Sequence, residues 1–158
     1  MIVLSKAILV VRIKGTINIP HPIERTLREL NLCKRFSATI VPDTPSYMGM
    51  LKKVKDYVAW CSIEPSFIET ILMKRGKIEG DRPLSDEFVK KIGYESIGDL
   101  AKAIAEGKAR LNKLDGIKPF FSLAPPRGGF KRSTKYAYTQ GGVLGSNPEL
   151  PNLVERML

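Results

Sequence analysis

Residues 36 to 63 read FSATIVPDTPSYMGMLKKVKDYVAWCSI, and this stretch switches periodicity twice. In FSATIVP (36 to 42), Phe36, Ala38 and Ile40 share one side at a spacing of two, which predicts a strand ended by Pro42. Beyond it Ser46 suits an N-cap, and Tyr47, Met50 or Leu51, and Val54 follow at helical spacing, with Lys52, Lys53 and Lys55 on the outer side. YVAWCSI (57 to 63) returns to strand character.

Toward the N-terminus, AILVVRIK (7 to 14) begins apolar on both faces and ends in alternation. Val11 and Ile13 fall on one face, and Arg12 and Lys14 on the other, where the strand meets solvent or a polyanion. After the turn-prone Gly15, Pro22 suits a first helical position, and Ile23, Thr26, Leu27 and Leu30 predict a helix over about 22 to 31. The expected fold class is therefore α+β: a compact βαβαβ sandwich over residues 1–62, a ferredoxin-like half with a three-stranded sheet and two helices on one face. The other sheet face must be covered or used.

Residues 63–117 read as a helical insertion. Ser66 with Glu69 forms a capping-box pattern ahead of Phe67, Ile68, Ile71 and Leu72, and Gly76 can close that helix. Ser85 precedes a short helix through Phe88, Val89 and Ile92, closed by Gly93. Ser96 with Asp99 opens another through Leu100, Ala103 and Ile104 toward Leu111. Residues 118–158 read as an extended basic Gly/Pro-rich segment ending in a short helix.

The net charge of +10 over 158 residues is unevenly spread. Residues 1–61 carry ten Lys or Arg against four Asp or Glu, residues 62–117 ten against ten, and residues 118–158 six against two. Such a balance favours polyanionic partners. In 118 to 145, KPFFSLAPPRGGFKRSTKYAYTQGGVLG, five basic residues occur without an acid. The cations can neutralise phosphates, the glycines permit close approach, and Phe130, Tyr136 and Tyr138 offer flat faces for unpaired bases. This segment is expected to order only on binding, so proteolysis of the free protein should cut first beyond Lys118.

No catalytic template fits. His21, the only histidine, lies between Pro20 and Pro22 without a partner at triad spacing. Gly76-Lys77 and Gly107-Lys108 lack the rest of a phosphate-binding loop, and no G-x-G-x-x-G occurs. The acids Glu79, Asp81, Asp86 and Glu87 fall at helix starts, where the macrodipole favours them, rather than in a metal cluster. Cys33 and Cys61 have neither disulfide-framework nor metal spacing and read as small buried hydrophobes. No apolar run approaches the roughly 18 residues of a membrane span, so neither secretion nor membrane embedding is expected, and no cofactor or metal. Two basic constellations remain: Arg12 and Lys14 with Lys52, Lys53 and Lys55, where ammonium groups and helix N-terminal amides are both at hand for phosphate, and the single Arg127-Gly128-Gly129.

The stretch DTPSYMGMLKKVKDYV (43 to 58) resembles the signature of the universal large-subunit ribosomal protein L-thirty family: Asp43, Thr44 and Pro45, then Gly49 and Met50, then Lys53 and Val54. Met48 departs from it, standing where the family commonly carries arginine. The resemblance covers residues 6 to 62 and agrees with the family's βαβαβ fold. APPRGGFKRSTKYAYTQGGVLG (124 to 145) is similar to the P-P-R-G-G, basic run and G-G-x-x-G of the longer archaeal and eukaryotic branch, and the length matches the archaeal form. The resemblance implies a non-catalytic constituent of the large ribosomal subunit, in the cytoplasm, held against large-subunit rRNA close to 5S rRNA and beside neighbouring ribosomal proteins. The expected RNA-binding residues are Arg12, Lys14, Thr44, Lys52, Lys53, Arg127, Gly128, Gly129, Lys131, Arg132, Lys135 and Tyr136. Two other readings remain open from the residues alone: a small-ligand module, since small βαβ sandwiches also bind amino acids, and an RNA chaperone acting off the ribosome.

Overall fold

The computed structural model describes residues 7–15, 17–114 and 116–158. The first five elements follow the expected order: β1 (Ala7–Arg12), α1 (His21–Glu29), β2 (Ser37–Pro42), α2 (Pro45–Lys53) and β3 (Val58–Ser62). Next come α3 (Pro65–Arg75), α4 (Asp86–Lys91), α5 (Ile97–Ala105), β4 (Phe121–Ser122), β5 (Ser133–Ala137), β6 (Gly142–Ser146) and α6 (Leu150–Glu155). The sheet is not three-stranded as expected. It has six strands in the order β4-β2-β1-β3-β6-β5, because the C-terminal segment adds a strand at one edge and two at the other.

β1 is central and antiparallel to both neighbours, with Leu9 opposite Ile40 on β2 and Cys61 on β3. β4 joins β2 antiparallel at Ala38↔Phe121, and β6 joins β3 in parallel at Ala59↔Gly145. Alternation along the strands divides the apolar residues between two cores. On one face Ile8, Val10, Val58 and Trp60 pack with Leu27 and Leu30 from the α1 end and with Leu51 and Val54 from the α2 end. On the other, Leu9, Val11, Ala38, Ile40 and Ala59 pack with Ile68, Ile71 and Leu72 of α3, Leu100 and Ile104 of α5, and Leu150 and Val154 of α6. The two helices on one face are thus as expected, and the second face is covered by the insertion and the C-terminal segment together. The latter is no mere tail: Phe121, Leu123, Val143, Leu144, Leu153 and Met157 are all buried.

Prolines, not serines, set the start of α2 and α3. The residue before proline is kept out of the helical region, so Thr44 (φ −125°, ψ 155°) and Glu64 (φ −83°, ψ 156°) become the N-caps, with Pro45 and Pro65 as first helical residues. Ser46 and the Ser66 capping box are corrected accordingly. Where no proline intervenes, the serine caps form: the Ser85 hydroxyl accepts from the Phe88 N–H at 3.4 Å, and that of Ser96 from the Asp99 N–H at 3.3 Å. α5 ends at Ala105, short of Leu111, with Gly107 beyond it in the left-handed region at φ 79°. Gly76 closes α3 because of crowding: a Cβ there would stand 2.4 Å from the Leu72 carbonyl oxygen.

Arg12 is the largest departure. It is only 2% exposed, not facing solvent, and its guanidinium donates to three carbonyls: Leu32 from Nη1 at 2.7 Å, Lys14 from Nε at 3.1 Å and Gly15 from Nη2 at 3.0 Å. Burial lowers its pKa from the usual value, only partly offset by nearby Cys33 and Glu24. These bonds tie the end of β1 to the loop after it and to the segment following α1, and the one to Leu32 satisfies a buried backbone acceptor. Cys33, in that segment, is exposed rather than buried, whereas Cys61 is half-buried and burial pushes its thiol pKa up.

β5 and β6 pair in parallel only at Ser133↔Gly142 and Ala137↔Leu144, with an irregularity between. The short link passes through a 3-10 turn at Tyr138–Gln140 and Gly141 at φ 88°. Gly142 is then so close to the preceding strand that a Cβ would lie 1.7 Å from the Tyr136 carbonyl oxygen.

Replacing Arg12 with alanine removes three hydrogen bonds, leaves the buried Leu32 carbonyl without its donor and should lower stability by about 2–3 kcal/mol, read as a lower urea midpoint at unchanged m-value. Gly142→Ala should cost about 1–3 kcal/mol through overpacking, whereas Gly49→Ala, at an open helical position with no neighbour within 4 Å, should be neutral or stabilising in the same assay.

Candidate nucleic-acid interface

The basic residues divide into those that hold the fold and those left on its surface. Lys52 and Lys53 occupy the last turn of α2 and are exposed, as is Lys55 just beyond. They favour that position because cations complement the negative end of the helix dipole. The helix N-terminus is therefore about 10 Å from them at 1.5 Å per residue, so amides and ammonium groups do not converge on one phosphate as expected. Those amides are also largely spent. Pro45 has no N–H, Tyr47 donates to the Thr44 hydroxyl at 3.4 Å and Met48 to the Thr44 carbonyl at 2.9 Å. Thr44 thus serves as the helix cap and is half-buried.

Lys14 is half-buried, with its ammonium 5.7 Å from the centre of the Tyr57 ring, at the β1 end that Arg12 anchors.

In the C-terminal segment Arg127-Gly128-Gly129 is a fixed turn. Gly128 (φ 79°) and Gly129 (φ 73°) are consecutive left-handed residues, a pair that side chains with a Cβ adopt only under strain. Arg156 clamps the turn, donating from Nη1 to the Gly129 carbonyl at 2.7 Å and the Arg127 carbonyl at 3.1 Å. The Arg127 N–H returns a bond to the Arg156 carbonyl at 3.0 Å. The Arg127 side chain is left exposed. Arg132, by contrast, is half-buried: its guanidinium lies 4.2 Å from the Tyr138 ring centre, donates to the Tyr138 carbonyl at 2.8 Å and meets Glu149 at 3.5 Å. Lys131 and Lys135 are exposed.

Of the three aromatic faces anticipated for bases, Tyr136 alone is open, at 56% exposure. Phe130 stacks on Phe36 with centroids 6.1 Å apart, and Tyr138 lies beneath Arg132. Lys118, part of the basic run, is paired with Asp81, whose carboxyl it holds below the usual range, first by a hydrogen bond and then by charge. Among the described residues no group of three His, Cys, Asp or Glu is placed to hold a metal, and no helix is long and apolar enough to cross a membrane.

The end of α2 and residues 137–146, some eighty residues apart in sequence, line one groove of about 400 Å³, which Arg127, Gly128 and Gly129 do not reach. Lys52, Lys55 and Asp56 form one side of it, and the 3-10 turn with the end of β6 forms the other. Sequence periodicity carried no signal for this meeting, or for Arg156 as the clamp of residues 127–129, because both depend on where the last forty residues fold back.

The match to known proteins agrees with the architecture. A model of the family described as ribosomal protein L30p/L7e matches residues 8–58, from β1 through α2 to the first residue of β3. Over the whole length, the chain is 48% identical to large ribosomal subunit protein uL30 of Cenarchaeum symbiosum, covering 98% of this chain and 100% of the relative. It is 45% identical to uL30 of Archaeoglobus fulgidus, covering 94% and 97%, and 46% identical to uL30 of Staphylothermus marinus, covering 94% and 96%. These relatives are archaeal and align through both the insertion and the C-terminal segment, as the long archaeal form requires. The chain belongs to the ribosomal protein L30p/L7e family.

Proposed function

We propose that this protein is a non-catalytic structural constituent of the large ribosomal subunit, in the cytoplasm, that binds and stabilises large-subunit rRNA close to the 5S rRNA and beside neighbouring ribosomal proteins. The family relation supports the assembly. The observation that carries RNA binding is the convergence of the exposed lysines at the end of α2 with the 137–146 segment on one groove, at one side of a chain carrying a net charge of +10.

Phosphate contacts fall to Lys14 beside Tyr57 and to cations that the fold leaves exposed: Lys52 and Lys53 on the first half, and Arg127, Lys131 and Lys135 on the C-terminal segment. Tyr136 supplies an open ring for an unpaired base. Gly128 and Gly129 let the backbone lie against RNA without side chains intervening. Arg12, Thr44 and Arg132 act indirectly, by holding the backbone at Lys14 and Gly15, the start of α2 and the wall beside Tyr138. Shape and backbone dominate such recognition, with multiple phosphates engaged at once.

Sedimenting a cell lysate through sucrose at moderate and then high salt, with this chain followed by mass spectrometry, tests the assignment. Stoichiometric retention on the large subunit at high salt is expected. A chain found at the top of the gradient, or washed off at modest salt, would return the role to an RNA binder acting off the ribosome.

A further inference from the structure

A second cavity, of about 250 Å³, lies between the residues leading into β5 and helix α6, and three cations line it: Lys131, Arg132 and Arg156. Glu149 is the one acid among its lining residues, and the fold fixes its backbone. The side-chain oxygen of buried Asn147 accepts from the Glu149 N–H at 2.9 Å, while the Asn147 amide donates to the Val143 carbonyl at 3.1 Å. The Glu149 carboxylate stands 3.5 Å from Arg132 Nη1, with its side chain 57% exposed. An ion pair so long and so open holds weakly. Arg132 itself is incompletely satisfied: Nη2 bonds the Tyr138 carbonyl, but Nε is, among the described residues, the one buried side-chain polar atom without a hydrogen-bond partner. Both carbonyl bonds of Arg156 leave from Nη1, so its Nη2 is at hand for a ligand, and Lys131 is exposed.

We propose that this cavity seats one phosphate of the RNA backbone, and that Glu149 holds its place beside Arg132 until the phosphate displaces it; the inference rests on the rRNA-binding role proposed above. Three cations facing one carboxylate leave an excess of positive charge for a ligand to neutralise. The phosphate oxygens accept from the Lys131 ammonium and from guanidinium N–H groups, which grip phosphate through more than one bond. Arg132 keeps its bond to Tyr138 and exchanges only the Glu149 contact, and the freed carboxylate turns to the solvent it already meets. A carboxylate from a partner protein would repeat what Glu149 supplies, whereas a phosphate brings more oxygens to the same cations. The internal acid also disfavours a free anion, because displacing it is offset only when the ligand makes further contacts. An RNA chain makes them at Arg127, exposed on the turn that Arg156 clamps.

Removing the internal acid tests this by a gain of binding. Filter retention of large-subunit rRNA is measured across a salt series with the full-length protein, Glu149→Gln and Glu155→Gln. Glu155 is exposed on the same helix but does not line the cavity, so its variant makes the same charge change outside the seat. Glu149→Gln should tighten binding about threefold, and Glu155→Gln by no more than about 1.5-fold, through screened long-range attraction. Lys131→Gln, at an exposed position, should lower the slope of log K against log salt by about 0.7 and reduce the gain from Glu149→Gln when the two are combined. Titration with inorganic phosphate alone, followed by NMR of the arginine side-chain N–H signals, should show no saturation in the micromolar range. Saturation there would assign the cavity to a free anion and overturn the RNA phosphate. Equal rRNA affinities in the wild type, Glu149→Gln and Glu155→Gln, or equal gains in the two variants, would overturn the seat and leave the rRNA role standing, whereas no retention of rRNA by the wild type would overturn both.

Discussion

Everything in this structure depends on a central strand that is apolar on both faces. Residues 7–11 of β1 are each no more than 3% exposed, which requires a layer of side chains above and below the sheet. The βαβαβ unit supplies one layer, through α1 and α2. Left alone, it would present Leu9, Val11, Ala38, Ile40 and Ala59 to water on the other side, at about 1.5–3 kcal/mol for each large apolar side chain left unburied. The charge-balanced insertion and the C-terminal segment exist, in physical terms, to cover that face. Their side chains enter the same core as those of the strands.

Covering the face changes what the C-terminal segment can be. Its apolar residues cluster at its two ends, Phe121 and Leu123 near the start and Val143 through Met157 at the finish, and these anchor it. Between the anchors, Arg156 clamps the Arg127–Gly129 turn and Arg132 braces Tyr138. Some arginines therefore build the scaffold, while lysines 52, 53, 55, 131 and 135 remain on the surface. The division suits the chemistry of the two side chains. A planar guanidinium satisfies several carbonyls at once, as Arg12 does with three, whereas an ammonium is a compact point charge suited to phosphate. A basic surface preorganised in this way loses less conformational freedom on meeting RNA than a disordered tail would.

The first three strands, the first two helices and the serine caps at Ser85 and Ser96 were legible in the sequence because each rests on local periodicity or a single local hydrogen bond. The residues of the L30 signature were legible too, and they led to the correct family. Helix starts at Pro45 and Pro65 were misread because the serines one residue later offered a competing local signal; the backbone restriction before proline outweighed it. Arg12 was misread because alternation predicts which face a side chain takes, not whether a later segment will cover that face. The folding back of residues 118–158 was missed for the same reason at larger scale. Its Gly, Pro and charge content masks apolar pairs whose partners lie on strands eighty or more positions earlier. The candidate site was legible as a set of basic residues but not as a place, since the groove uniting Lys52 with the 137–146 segment is purely tertiary.

The central claim is that the C-terminal segment is part of the folded core before any RNA is bound. Amide hydrogen exchange of the free full-length protein measures this directly. The account predicts that amides of β6 and α6 are protected to a degree comparable with those of β1 and β3. Rapid exchange throughout residues 118–158, alongside a protected 7–62, would contradict it and leave the segment a tail that orders only on its partner.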